Sequence, residues 1–196
     1  MTFKNIALLI NSRAGKGKAL QIAMQLMQQL KQRNITHNVF TDEWPHELTS
    51  FSDAWIAGGD GTLNFFLNKY RKCHIPIVIF KGGTGNDIAW KLYGDMNTEQ
   101  QLDHALSATP KPVDAGQCND KIFINGIGIG FDGEVLQSIN SIRFIGGHLG
   151  YLVAVIKKIF SFKEHHFNVT VDGKKISERF LLMLIFNSSR TGGGFK

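Results

Sequence analysis

Two rhythms of apolar and polar positions alternate along the first half of the chain. Residues 4–11 form a continuous apolar run, the pattern of a strand buried on both faces of a parallel sheet. After a short Gly/Lys loop, Leu20, Met24, Met27 and Leu30 recur at helical spacing, which predicts a helix packed on the core through that stripe. Residues 35–41 read as a second strand, 45–51 as a short helix and 53–57 as a third strand. A helix is predicted over 62–71, a strand over 77–80 and a helical stretch over 88–92, with Thr98 as N-cap of a helix ending near Ala108. Such alternation implies a parallel sheet covered on both faces, with ligands at the carboxyl ends of the strands.

Beyond Pro112 the pattern changes to short extended segments. Residues 113–116 and 121–129 read as extended, with Asn119-Asp120 as the hairpin turn between them. Helices are expected over 131–142 and 149–160. Residues 167–171 alternate as a half-buried strand, Asp172-Gly173 is a two-residue turn signal, and 180–186 reads as a central strand. The fold class is therefore α/β: a three-layer parallel-sheet domain over 1–120, then an incomplete β-rich, sandwich-like domain over 121–196. The last residues, Thr191 to Lys196, are loop-like and directly follow a strand, so the edges of the second domain are expected to need covering.

Three loops that carry glycine, at 12–17, 58–61 and 82–85, each follow a strand and are predicted to gather on one edge of the sheet. The most specific is Gly58-Gly59-Asp60-Gly61-Thr62. Glycine lets a ligand approach the main chain closely, and the amides of such a turn, with the helix N-terminus behind it, seat phosphate. An acid beside a phosphate makes sense with a cation between them; the other reading of Asp60 is a cap on its helix. The first loop fails as a Walker A motif, because Ser12 stands for its first glycine and Ala19 for the Ser/Thr that would hold magnesium. Its free amides, Lys16 and Lys18 can still touch phosphates. A literal G-x-G-x-x-G at Gly128–Gly133 lacks the acid expected about 20 residues on and reads as a glycine-rich strand exit.

Composition narrows the picture only slightly. With 43% apolar and 19% charged residues in 196, the chain can bury a core, and a net charge of +6 suits anionic partners without choosing among nucleotide, membrane surface and nucleic acid. Cys73 and Cys118 read as reduced thiols of a cytosolic protein. No secretory signal is visible, and no stretch reaches the roughly 18 apolar residues of a spanning helix. His165-His166 lacks a partner at ligand spacing and reads as a solvated turn, and Trp44, Trp55 and Trp90 read as packing residues. Lys157, Lys158 and Lys163 near Phe160 and Phe162 suit either a bilayer surface or a solvated helix face.

Taken together, Gly58-Gly59-Asp60-Gly61-Thr62-Leu63-Asn64 and Gly83-Thr84-Gly85-Asn86-Asp87 resemble the diacylglycerol kinase catalytic-domain family, with its bacterial lipid kinases and related sphingosine and ceramide kinases. The first motif is shared with NAD kinases and, more loosely, phosphofructokinases; the second points to the lipid kinases. Residues 11–15 are similar to the family's first nucleotide loop. The resemblance implies that the first domain is a nucleotide-binding domain, with ATP held between the two domains and its γ-phosphate passed to a lipid hydroxyl. By position, Asn11, Ser12, Arg13, Ala14, Gly15, Thr41, Gly58, Gly59, Asp60, Gly61, Thr62, Leu63, Asn64 and Thr84 would contact the nucleotide. Asp60 would be catalytic, and Asp60, Asp87 and Asp114 would surround Mg²⁺, partly through water.

The implied partners are nucleotide and lipid substrate, with no nucleic acid. The implied location is cytoplasmic, with peripheral contact at the inner face of the membrane, and a homodimer is compatible with the open second domain. Family members run on past the equivalent of Lys196 to an Asp-Gly-Glu segment that supplies the base for the lipid hydroxyl. The chain therefore reads as truncated, with its general base expected beyond residue 196; Asp132-Gly133-Glu134 has the same letters at the wrong place. Two other readings stay open: an NAD kinase-like enzyme, and a catalytically inactive nucleotide-binding remnant.

Overall fold

The computed structural model describes residues 4–131 and 163–190. Its contacts divide the chain into two units, Met1–Asn125 with Asn187–Lys196, and Gly126–Phe186. In the first unit, β1 (Asn5–Ile10), β2 (Thr36–Thr41), β3 (Asp53–Gly58) and β4 (Ile77–Lys81) form a parallel sheet in the order β2-β1-β3-β4. Leu8 sits beside Val39 on one side and Trp55 on the other. Successive strand side chains point to opposite faces, so one core forms on each. Ile6, Leu8, Ile10, Trp55 and Phe80 meet α1 (Lys18–Gln32) and Leu102 of α4 (Thr98–Ser107). Ala7, Leu9, Ala54, Ile56 and Ile79 meet α2 (Asp60–Lys69) and α3 (Asp87–Tyr93). The three-layer α/β arrangement agrees with the strand–helix alternation of the sequence.

The strand order also locates a crevice. From β1 the chain moves outward to β2, then returns to the far side of β1 as β3. At such a reversal the loops after two neighbouring strands diverge, and ligands of open parallel sheets bind there.

Several local expectations are corrected. Helix α1 buries Ala19, Ile22, Ala23, Leu26 and Leu30, whereas Leu20, Met24 and Met27 face solvent, Met24 at 62% exposure. Two apolar stripes overlap on this helix, and the one with alanines wins because it lets the helix approach the sheet closely. A Cβ on Gly82 would lie only 2.9 Å from Ala19 Cα. No helix forms over 45–51. That segment is too short to sustain a helix by itself; Leu48 and Phe51 fill the α2-side core, and the Pro45 carbonyl accepts the Tyr70 hydroxyl at 2.5 Å. The N-cap of α4 is Asn97, not Thr98: its Oδ1 accepts Gln100 N at 2.9 Å and Gln100 Oε1 accepts Asn97 N at 3.0 Å, a reciprocal capping box.

Strand β5 (Gly116–Cys118) begins later than expected and pairs with β6 (Lys121–Phe123) across Asn119-Asp120. The extended run to residue 129 is broken after β6. In the second unit β7 (Gly126–Gly130) pairs antiparallel with β10 (Leu182–Phe186), and β8 (His165–Val171) with β9 (Lys174–Phe180). Asp172 and Gly173 both take positive φ, 48° and 79°, as the tightest hairpin turn demands. The strand expected over 180–186 is divided: Phe180 ends β9, and β10 has a single partner, β7, among the described residues, so it is not central there. His165 and His166 lie in β8, not in a turn. The helices expected over 131–142 and 149–160 fall outside the described residues apart from Phe131, as do Lys157, Lys158 and the Asp132–Glu134 letters. Among the described residues, no helix is long and apolar enough to cross a membrane.

Candidate functional site

The three glycine loops meet. After β1 the chain makes a tight turn over Ala14–Gly17, with Gly15, Lys16 and Gly17 at φ of 57°, 56° and 91°. A Cβ on Gly15 would lie 2.4 Å from the Gly82 carbonyl oxygen. The turn after β3 lies directly against the turn after β4: a Cβ on Gly83 would come within 2.4 Å of Gly59 Cα, and one on Gly59 within 2.8 Å of Gly83 Cα. Main chain touches main chain at both places, which any side chain would prevent.

Hydrogen bonds clip these turns together. Asn11 Nδ2 donates to Thr62 Oγ1 at 3.0 Å, Gly59 N reaches the same oxygen at 3.4 Å, and Asn11 N donates to Ala57 O at 3.2 Å. Asn11 Oδ1 also accepts Arg13 N at 3.2 Å. Ser12 donates to Asp42 from both its backbone N (2.9 Å) and its hydroxyl (2.6 Å). These bonds, the hydroxyl first, with the Arg13 charge behind them, hold the Asp42 carboxyl below its ordinary range against a small opposing effect of burial. Asn86, at φ 55°, closes the third turn on itself: its Oδ1 accepts Gly83 N at 2.6 Å and its Nδ2 donates to Gly83 O at 2.8 Å.

The three acids have distinct surroundings. Asp60 does not cap its own helix. Its two carboxylate oxygens accept Asp87 N and Ile88 N, each at 2.9 Å, and so anchor the start of α3. Asp87 is buried at 4% exposure, with Arg190 Nε 3.3 Å from its Oδ1. Asp114 is exposed ahead of β5, and its carbonyl accepts Asn187 Nδ2 at 2.6 Å. Among the described residues, no three His, Cys, Asp or Glu side chains gather closely enough to cage a metal ion directly.

A cleft of about 420 Å³ opens beside the first two turns. Of the residues singled out in the sequence, Asn11, Arg13, Gly61 and Thr62 line it; Ile10, Asp42, Trp44 and Phe65 complete the wall. Trp44 donates its indole N–H to Ile10 O at 3.2 Å and meets Phe65 edge-on at 5.6 Å, so it walls a cleft as well as packing. Ser12, Ala14 and Gly15 lie in the first loop, and Thr41 ends β2 next to it. Gly58 is the buried last residue of β3, Leu63 packs into the α2-side core, and Asn64 and Thr84 are exposed. Sequence reading did not mark Asp42 or Phe65, read Trp44 as packing alone and quoted Asn86 in the second motif without giving it a role. Asn86 carried a usable signal, since Asn is among the few residues that adopt the left-handed region readily. Phe65 stands exposed at 58% in the first turns of α2, which only the fold reveals.

Comparison with known proteins agrees with this geometry. The family model of the diacylglycerol kinase catalytic domain matches residues 5–118, and that of the YegS C-terminal NAD kinase beta sandwich-like domain matches 125–196. A Staphylococcus epidermidis protein that bears the provisional name of a lipid kinase is 29% identical over 143 residues, which are 71% of this chain and 47% of that protein. A Staphylococcus aureus protein named in the same way is 27% identical over 142 residues, with the same shares. The chain thus spans about half the length of these curated relatives, 47%. The crystal structure of a diacylglycerol kinase from Bacillus anthracis has the same fold, with a TM-score of 0.72 at 23% identity over all of this chain and 68% of that one. Glycine turns gathered at the ends of parallel strands, a β sandwich-like second domain and both family models lead to one assignment: the chain belongs to the diacylglycerol kinase catalytic-domain family.

Proposed function

We propose that this protein is an ATP- and Mg²⁺-dependent lipid kinase that transfers the γ-phosphoryl group of ATP to a lipid hydroxyl. One observation carries the reading: three glycine turns touch one another at the carboxyl ends of β1, β3 and β4. They bring main chain from three strand ends together at the reversal point of a parallel sheet, where phosphate groups bind. In this reading Asn11, Ser12, Arg13, Ala14, Gly15, Thr41, Thr84 and the whole 58–64 turn hold the nucleotide. Residues 1–120 form the nucleotide domain, and 121–196 belong to the lipid-substrate domain.

Backbone amides locked by packing need no rearrangement as charge builds on a transferring phosphoryl group, which is how a kinase lowers its barrier. Asn11 holds the first turn against α2 through Thr62, and Arg13 adds positive charge at the cleft. The donor set fits magnesium, an ion that favours hard oxygens, takes few carboxylates and keeps several waters. Asp60, Asp87 and Asp114 would hold it, in part through water. When bound, it supplies neutralisation of the phosphate charge. A lipid acceptor implies contact with a bilayer surface, placed by this reading at the inner face of the membrane.

Calorimetric titration of ATP with and without magnesium, followed by radiolabelled phosphate transfer to diacylglycerol and sphingoid acceptors, tests the proposal. Magnesium-dependent binding and labelled lipid are expected. Failure to bind ATP under either condition, or label passed to NAD in place of lipid, would overturn it.

A further inference from the structure

Resting on the nucleotide reading above, we propose that Arg190 is a phosphate-binding residue held in reserve on Asp87. Arrival of the nucleotide with its divalent ion exchanges the partners: Asp87 turns to the ion and the Arg190 guanidinium to a phosphate oxygen.

The ion pair is largely withdrawn from water, its side chains 22% and 5% exposed, with Arg190 Nε 3.3 Å from Asp87 Oδ1. A guanidinium so placed needs an anion beside it. Yet Nε makes no directed hydrogen bond among the described residues. Arginine's planar fork matches two oxygens of a phosphate at once, and a contact through one nitrogen to one carboxylate oxygen leaves that capacity unused.

Position supports the exchange. Asp87 follows the Gly82–Asn86 turn directly, and its N–H already bonds Asp60. Arg190 is delivered there by a pinned segment: Asn187 donates to Asp114 O, Ile124 O and Asn125 O at 2.6, 3.2 and 2.8 Å. The guanidinium carbon lies 5.2 Å from the Trp90 ring, a platform that keeps a cation nearby without binding its donors. Lys81 shares that ring at 3.8 Å, but its ammonium donates to Gly94 O and to Met96 O. Burial first, then the charges of Lys18 and Arg190, hold the Lys81 ammonium below its ordinary range, with Asp95 opposing. Lys18 and Arg190 thus both act on Lys81, the residue that directly precedes the third glycine turn.

The test compares the full chain with its Arg190→Gln and Arg190→Lys variants in two titrations, inorganic tripolyphosphate with magnesium by calorimetry and Mn²⁺ alone by paramagnetic resonance. Arg190→Gln is expected to weaken tripolyphosphate about tenfold, the loss of roughly one charge-assisted contact, and to tighten Mn²⁺ because Asp87 has lost one positively charged competitor. Arg190→Lys, which keeps the charge but not the fork, should lose part of the tripolyphosphate affinity at an unchanged melting temperature; it decides the matter if the glutamine variant does not fold. Wild-type tripolyphosphate affinity in a folded variant would overturn the proposal. So would a parallel fall of both affinities with the melting temperature, the mark of a purely structural tie. If the unaltered protein binds neither tripolyphosphate nor ATP, the nucleotide reading itself fails.

Discussion

Asp60 and Asp87 are joined by a hydrogen bond of 2.9 Å from the Asp87 backbone N–H to Asp60 Oδ2, and Asp60 Oδ1 takes the next amide, that of Ile88. The carboxylate that opens α2 therefore orients the start of α3. Asp60→Ala removes both bonds and is expected to cost about 3 kcal/mol or more, since hydrogen bonds to a charged group each contribute roughly 1.5–3 kcal/mol. Urea unfolding measures that loss, and faster amide exchange confined to residues 87–93 would locate it. Phosphoryl transfer should fall with it at temperatures where the variant remains folded. Unchanged stability would mean that Asp60 serves the ligand alone.

Contact between Gly59 and Gly83 makes the two turns one surface. Alanine at either position places a Cβ 2.4–2.8 Å from the other's Cα and should force the turns apart. Overpacking of that kind costs about 1–3 kcal/mol, and ATP affinity measured by calorimetry should drop sharply. Gly61 is the control: a Cβ there meets nothing within 4 Å, so Gly61→Ala should fold at least as well as wild type.

Leu26 and Met24 lie on opposite sides of the corrected α1 face, at 0% and 62% exposure. Leu26→Ala should destabilise by about 2–5 kcal/mol through the cavity it leaves. Met24→Gln should stay within about 0.5 kcal/mol. Chemical denaturation of the two variants distinguishes this face from the Leu20/Met24/Met27 stripe.

Tyr70 links alkaline stability to the 42–52 connection. Burial, with Cys73 adding to it, pushes its hydroxyl from 10 up to about 12. Between those values the unfolded chain gives up this proton while the folded chain keeps it, so stability is full below pH 10 and is lost as pH rises towards 12. Tyr70→Phe removes the bond to Pro45 O and should flatten that alkaline decline, as read from melting temperature against pH.

Much of the site is legible in the sequence. Glycines placed after strands announced tight turns, and strand alternation put those turns on one edge of a sheet; Gly15, Gly59, Gly82 and Gly83 do lie against one another there. Asp42 and Trp44 were not legible, because nothing in their own neighbourhood marks them. They reach the cleft only because β2 pairs with β1 and delivers its end beside Asn11.

By itself the sequence determined the parallel three-layer domain, the extended character of the second domain and the family, all of which are written in short windows of hydrophobic period and turn residues. Tertiary structure alone decided which of two apolar stripes α1 buries, because only the sheet's demand for close approach favours Ala19 and Ala23 over Met24 and Met27. It alone gave Asp60 and Asp87 their partners, the α3 amides and Arg190. Local propensity acts over a few residues, whereas a carboxylate or guanidinium pairs with whatever the packed chain brings within about 3 Å of it.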